Sequence, residues 1–274
     1  MNPTKKALIG ILLGVAIQAS ATTAWSGVDI TTHNSRDEVT TGRIRAKGNL
    51  LRIDLPRSPD GRGDSSIVFD ANANVMRILQ HSEKVYFQID EKTSDRLTKQ
   101  MEAARAQMEA QLAKMPPEQQ AMMKKLMEQQ GLTPPGGKTS KKPEIPSTRK
   151  TGKSDTVHGV PCTIYQIERK GSVVGESCVA NWSDLTIERR DIAVMEKFAK
   201  FQMKMTEAMG SAFSQGQHPF ATMDLSNGLP IRARTASLGA AGWESSLASI
   251  QKTDPSPDIF SIPPGYEQKL IGEN

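Results

Sequence analysis

Cys162 and Cys178 are the only thiols in the chain, and they flank a polar turn that contains Gly171. Residues 163–167 and 173–179 are rich in β-branched side chains, so the stretch 159–182 reads as a β-hairpin. With Arg169-Lys170-Gly171 as a three-residue loop, Gly171 takes the left-handed position and Cys162 falls opposite Cys178. That register also sets Ile167 against Val173 and Tyr165 against Gly175; a two-residue loop moves the pairing by one. No C-x-x-C spacing accompanies the pair, so the expected chemistry is a structural disulfide rather than redox exchange.

Methionine is the second unusual feature. Met101, Met108, Met115 and Met122 recur every seventh position, followed by Met123 and Met127, and a second group comprises Met195, Met203, Met205 and Met209. Flexible thioethers make adaptable apolar surfaces, and amphipathic helices normally bury such a stripe, so packing on a sheet is expected. Met203 and Met205 are soft enough for cuprous copper, but neither His nor Cys stands beside them and the segment is lysine-rich.

His33, His81, His158 and His218 are scattered, with no H-E-x-x-H spacing, and no G-x-S-x-G marks a nucleophilic serine. Gly137-Lys138-Thr139 ends like a phosphate-binding loop, but Leu132 stands where the first glycine belongs and Pro134-Pro135 break the loop. Gly61-Arg62-Gly63-Asp64-Ser65 reads as a tight turn. With no nucleophile or base to nominate, the expectation is a non-catalytic protein with no cofactor and no metal.

The elements that position these residues begin after an export signal. Lys5 and Lys6 precede the apolar run 7–17, and Ala19-Ser20-Ala21 is an A-x-A cleavage site, so 1–21 is expected to be a signal peptide. Ala24 is the second choice, and no cysteine follows to carry a lipid anchor. The single disulfide suits an oxidising compartment, so the expected location is periplasmic, or else secreted. The chain has 274 residues and a formal charge of +5, which falls to +3 without the signal. Its few aromatics and interspersed acids give no nucleic-acid footprint. Basic runs at Lys124-Lys125, 138–142 and 149–153 are diluted by prolines and acids, which allows peripheral membrane contact at most.

Short alternating segments at 28–30, 39–45, 51–55, 66–70, 75–79 and 85–89 predict an antiparallel meander. At Thr93 the period changes. Leu97, Met101, Ala104, Met108, Leu112 and Met115 lie on one face of a helix capped by Thr93 or Ser94 and stopped by Pro116-Pro117. A shorter helix is expected over 117–130, then a solvated linker over 131–153. After the central hairpin come a third helix over 191–209, a break over 210–218, strands at 229–238 and 243–251, and a proline-ended apolar segment at 258–266.

Three stretches carry a resemblance: Gly48-Asn49-Leu50-Leu51-Arg52-Ile53-Asp54, Thr151-Gly152-Lys153 through His158-Gly159-Val160-Pro161-Cys162, and Phe260 through Tyr266. In these the chain resembles a family of bacterial exported proteins known only as a domain of unknown function, itself similar to the periplasmic lipoprotein carriers LolA and LolB. The resemblance implies an α+β fold: a curved antiparallel sheet forming an open half-barrel, with helices against its concave face. The mature chain 22–274 is then one domain of about eight to ten strands, with 93–153 as a long Met-rich helical insertion and linker. The function expected is binding of an apolar ligand (an acyl chain, a lipid or a lipoprotein segment) under the helices, lined by Phe87, Trp182, Met195, Phe198, Phe201 and Met205. The alternative is an envelope protein-interaction or sensing module that meets a protein partner through 93–153.

Overall fold

Alternation of side chains decides how the first half of the chain folds. Leu51, Ile53 and Leu55 alternate with Arg52 and Asp54 along β3 (Leu50–Leu55), so one face is apolar and the other carries charge. The computed structural model describes residues 27–35, 39–55, 64–122, 147–169, 171–209, 225–235 and 243–271. The expected signal peptide, the helix beyond 122, the linker over 131–146 and the break at 210–218 lie outside them.

Within these residues β1 (Gly27–Ser35), β2 (Val39–Lys47), β3, β4 (Ser65–Asp70), β5 (Val75–Gln80) and β6 (Val85–Ile89) form an antiparallel meander. A second meander comprises β7 (Ser147–Val157), β8 (Val160–Arg169), β9 (Ser172–Ala180), β10 (Leu229–Thr235) and β11 (Trp243–Thr253). Pairing of β1 with β11 joins the halves, and β12 (Glu267–Lys269) runs parallel to β6. The result is one open sheet in the order β12-β6-β5-β4-β3-β2-β1-β11-β10-β9-β8-β7. Its twelve described strands exceed the eight to ten expected.

The β4–β5 turn shows how local chemistry sets these connections. Asp70 Oδ1 accepts from the backbone N–H groups of Asn72 (2.8 Å) and Ala73 (3.1 Å), and Asn74 adopts a positive φ of 53° to return the chain. Entry into β10 demands glycine: at Gly228 a Cβ would stand 2.0 Å from the Ala180 carbonyl oxygen.

α1 (Glu91–Leu112) starts two residues before the expected cap, because Asp90 accepts from Thr93 N–H at 2.8 Å. A short helix α2 is described over 117–122. The 3-10 turns Trp182–Asp184 and Arg189–Ile192 lead into α3 (Ala193–Met209). The helices lie against the concave face, where Val194, Phe198 and Phe201 of α3 and Leu97 of α1 join Leu51, Ile67, Phe69 and Met76 in one core.

Two expectations are corrected here. Residues 147–153 are not linker but the first part of β7, whose side chains there are nearly all exposed; a polar edge strand carries no apolar alternation to announce it. In the hairpin, Arg169 pairs with Ser172 and Glu168 with Val173, while Ile167 pairs with Gly175 and Tyr165 with Ser177. The register slips between those pairs, so Val174 is bulged and the expected three-residue register is wrong.

Candidate functional site: the covered concave face

The disulfide forms in spite of that slip. Cys178 pairs directly with Ile164, so Cys162 reaches it diagonally across the hairpin, with Cα atoms 5.4 Å apart and an S–S bond of 2.08 Å. The bulge moves the register but keeps both side chains on one face, which is all a bridge needs. Both cysteines are buried in the core, away from any reductant, as fits a structural role.

Of the residues expected to line a ligand site, Met195, Phe198, Phe201 and Met205 come together on the inner side of α3. Phe198 and Phe201 lie 5.3 and 5.2 Å, ring centre to ring centre, from Phe69 of β4. At those separations tilted rings are in favourable contact, and Phe198 and Phe201 are 7% and 3% exposed. Trp182 packs at the border of the same core and its indole N–H donates to the Leu225 carbonyl at 3.2 Å. Phe87 stands apart, half-buried on β6 opposite Ile78. The sequence reading missed Phe69, the platform on which α3 rests. An apolar residue inside an ordinary strand gives no sign of being an anchor.

α3 is held from outside by polar contacts. Lys197 Nζ donates to Asn49 Oδ1 at 2.6 Å, and Arg189 pairs with Glu196 at 2.6 Å. Lys252 of β11 reaches Asp191 at 3.3 Å. These are surface contacts and hold weakly.

The methionines divide. Met195 and Met205 are buried, whereas Met108 is 43% and Met122 75% exposed. The expectation that the α1 stripe packs on the sheet therefore fails at Met108. Ala104 is also exposed, as are all side chains over 106–111, while Leu112 is buried.

On the opposite face a buried polar network links β3, β4 and the chain's end. Ser66 is 1% exposed, and its hydroxyl donates to Asp54 Oδ1 at 2.6 Å. Asp54 also receives Arg52 at 2.6 Å and an ion pair from Arg45. Burial raises the Asp54 pKa, but the Ser66 and Arg52 hydrogen bonds and the charges of Arg52 and Arg45 outweigh it, holding the carboxyl below its ordinary value. An ionised carboxylate only accepts, so Ser66 spends its proton there. His81 Nε2 (2.6 Å) must then donate to Ser66, leaving Nδ1 to accept from Tyr266 Oη at 2.6 Å. A catalytic base would take the serine proton; here the histidine gives one. The network instead fastens the C-terminal segment, together with Arg52 donating to the Ile259 carbonyl at 2.8 Å and Phe260 packing on Val68 and Leu79.

Among the described residues no group of three or more His, Cys, Asp or Glu could hold a metal, and no helix is long and apolar enough to cross a membrane.

No protein-family model and no curated protein matches the sequence. Among solved structures the chain is similar to an uncharacterised conserved protein from Thermus thermophilus, at 6% identity over 90% of this chain and 91% of that one, with a TM-score of 0.45. It is similar to PNGF-II at 8% identity over 89% of this chain and 31% of that one, TM-score 0.37. It is also similar to a LolA superfamily protein from Nitrosomonas europaea at 7% identity over 86% and 89%, TM-score 0.30.

Proposed function

We propose that this chain is an exported, non-catalytic protein that binds an apolar ligand, an acyl chain or lipid-modified segment, on the concave face of its sheet. The observation that carries this reading is the covering of that face. The sheet is open, and a wide part of its apolar surface is closed by one amphipathic helix, α3, whose Met195, Phe198, Phe201 and Met205 sit where a ligand would lie. Those side chains themselves pack into the core, so binding requires α3 to shift and exchange its own apolar groups for the ligand's. Methionine suits such an exchange, because its unbranched thioether repacks at low cost. The contacts from Lys197 to Asn49 and from Arg189 to Glu196 that tether α3 are exposed. The disulfide fits an oxidising compartment, which supports export.

The test is native mass spectrometry of the mature protein purified gently from the periplasm, followed by denaturation and lipid analysis. A lipid or acylated species that co-purifies and is lost on denaturation supports the reading. A bare mass, with no binding of a fluorescent fatty acid added afterwards, ends it.

One observation favours a second reading, an interaction module acting through the insert. Met108 and Met122 are exposed, and the described side chains over 106–111 around Met108 face solvent with it. Replacing 102–146 with a short glycine-serine linker separates the two readings. Loss of a protein partner with ligand binding kept supports the interaction module.

A further inference from the structure

We propose that His33 and His158 together form a surface site for a borderline divalent transition-metal cation such as zinc, which clips the β7–β8 turn to β1. The two rings stand with centres 6.2 Å apart and planes at 79°. In the sheet β11, β10 and β9 lie between β1 and β8, so only the curl of the sheet brings this turn to β1.

A second contact crosses the same gap. Arg232 of β10 reaches Asp155 of β7 at 2.7 Å, past β9 and β8. Arg232 pairs with Ser246, and Ser246 pairs with His33, so this ion pair belongs to the same row of the sheet as the histidines. It anchors β7 three residues before His158 and thereby presets the ring. It also engages the Asp155 carboxylate: the Arg232 hydrogen bond, with a backbone N–H and Arg charges, holds that carboxyl below its ordinary pKa. That leaves the two neighbouring imidazoles as the ligands of the site.

The backbone at His158 fixes where the ring is presented. His158 has φ 46° and Gly159 φ 82°, both left-handed, as a two-residue type I′ hairpin turn requires. Histidine, like Asn and Asp, is among the non-glycine residues that enter this region most readily, so the turn holds the ring at its tip without distortion.

The chemistry fits two ring nitrogens with water completing the sphere. Imidazole favours zinc, copper and nickel over calcium or magnesium. With metal–nitrogen bonds of about 2.0–2.1 Å, two rings sharing a tetrahedral ion have centres about 5 Å apart, a small side-chain rotation from the separation found. Two protein ligands make a weak, exchangeable site. Its effect is to hold the curl of the sheet, independently of whatever the concave face binds.

The experiment is a zinc chloride titration of untagged protein, followed by thermal unfolding and calorimetry, for wild type, His33→Ala and His158→Asn. Asparagine keeps the left-handed turn, so His158→Asn leaves the fold intact and removes only the ligand. All three proteins should melt alike in a chelator. Zinc should then raise the wild-type midpoint, with the rise and the calorimetric signal lost in both variants. A wild type that ignores zinc overturns the proposal. So does a zinc response of equal size in all three proteins.

Discussion

The Phe69 ring of β4 and the Phe198 ring of α3 meet at 5.3 Å, tilted by 53°, and this contact joins the sheet to the helix that covers it. Phe198→Ala should destabilise the fold by about 3–5 kcal/mol if the cavity does not collapse. It should also raise the fluorescence of an apolar dye under native conditions, because α3 loses its seat. Urea unfolding and dye titration read the two effects separately. A large loss of stability with no gain in dye binding marks α3 as permanent core.

The bridge between Cys162 and Cys178 closes a loop with a sequence separation of 16. Replacing both by serine should cost about 2–4 kcal/mol, towards the low end because β8 and β9 are already joined by a tight turn. Denaturant midpoints of the wild type with and without reductant check this, and the reduced wild type should match the double variant.

Tyr266→Phe removes the hydroxyl that donates to His81 and should cost about 1 kcal/mol. Ser66→Ala should cost about 1–3 kcal/mol, since it leaves His81 Nε2–H without its buried acceptor. Both changes should speed amide exchange over 259–269 more than elsewhere, as mass spectrometry of exchanged peptides would reveal. Uniform exchange across the sheet would contradict a local fastening.

Acid should weaken the fold in a defined window. The Asp54 carboxyl, for the reasons above, and that of Asp90, through the Thr93 backbone N–H first and then the Thr93 and Gln88 side chains and nearby Lys92, lie below the ordinary value. A lowered folded pKa means full stabilisation above the unfolded value of about 3.9, lost as pH falls through the folded value. Asp54→Asn should therefore flatten the stability profile below about pH 4 relative to wild type. Equal slopes would show that Asp54 is not the linked group.

How much of this was legible in sequence depended on burial. The strands of the first meander announce themselves because one face is apolar and the other is not, as along Leu51 to Leu55. β7 has no such contrast, so composition hid it. The hairpin was visible, but Val174 was not readable as a bulge, since a bulge depends on the partner strand. Phe198 and Phe201, spaced three apart, do share the buried face of α3. The same periodicity misled on α1, where Met108 repeats the stripe yet faces water. Periodicity says which residues share a face, not whether anything covers it. The meeting of His33 with His158, and the wiring of Ser66 to His81, arise from sheet curvature and strand register that no local pattern encodes.

The pairing of β1 with β11 bears on the order in which the chain can assemble. Residues near 30 find their partners only near 250, so the first strand waits unpaired on one side until β11 is in place. Contacts so distant in sequence slow folding, because a long loop must close before anything is gained. The two meanders can each form early from neighbouring hairpins, and joining them along this seam is then the late, slow step. A stalled or truncated chain ending before residue 243 would leave β1 with a bare edge, the place where aggregation would begin.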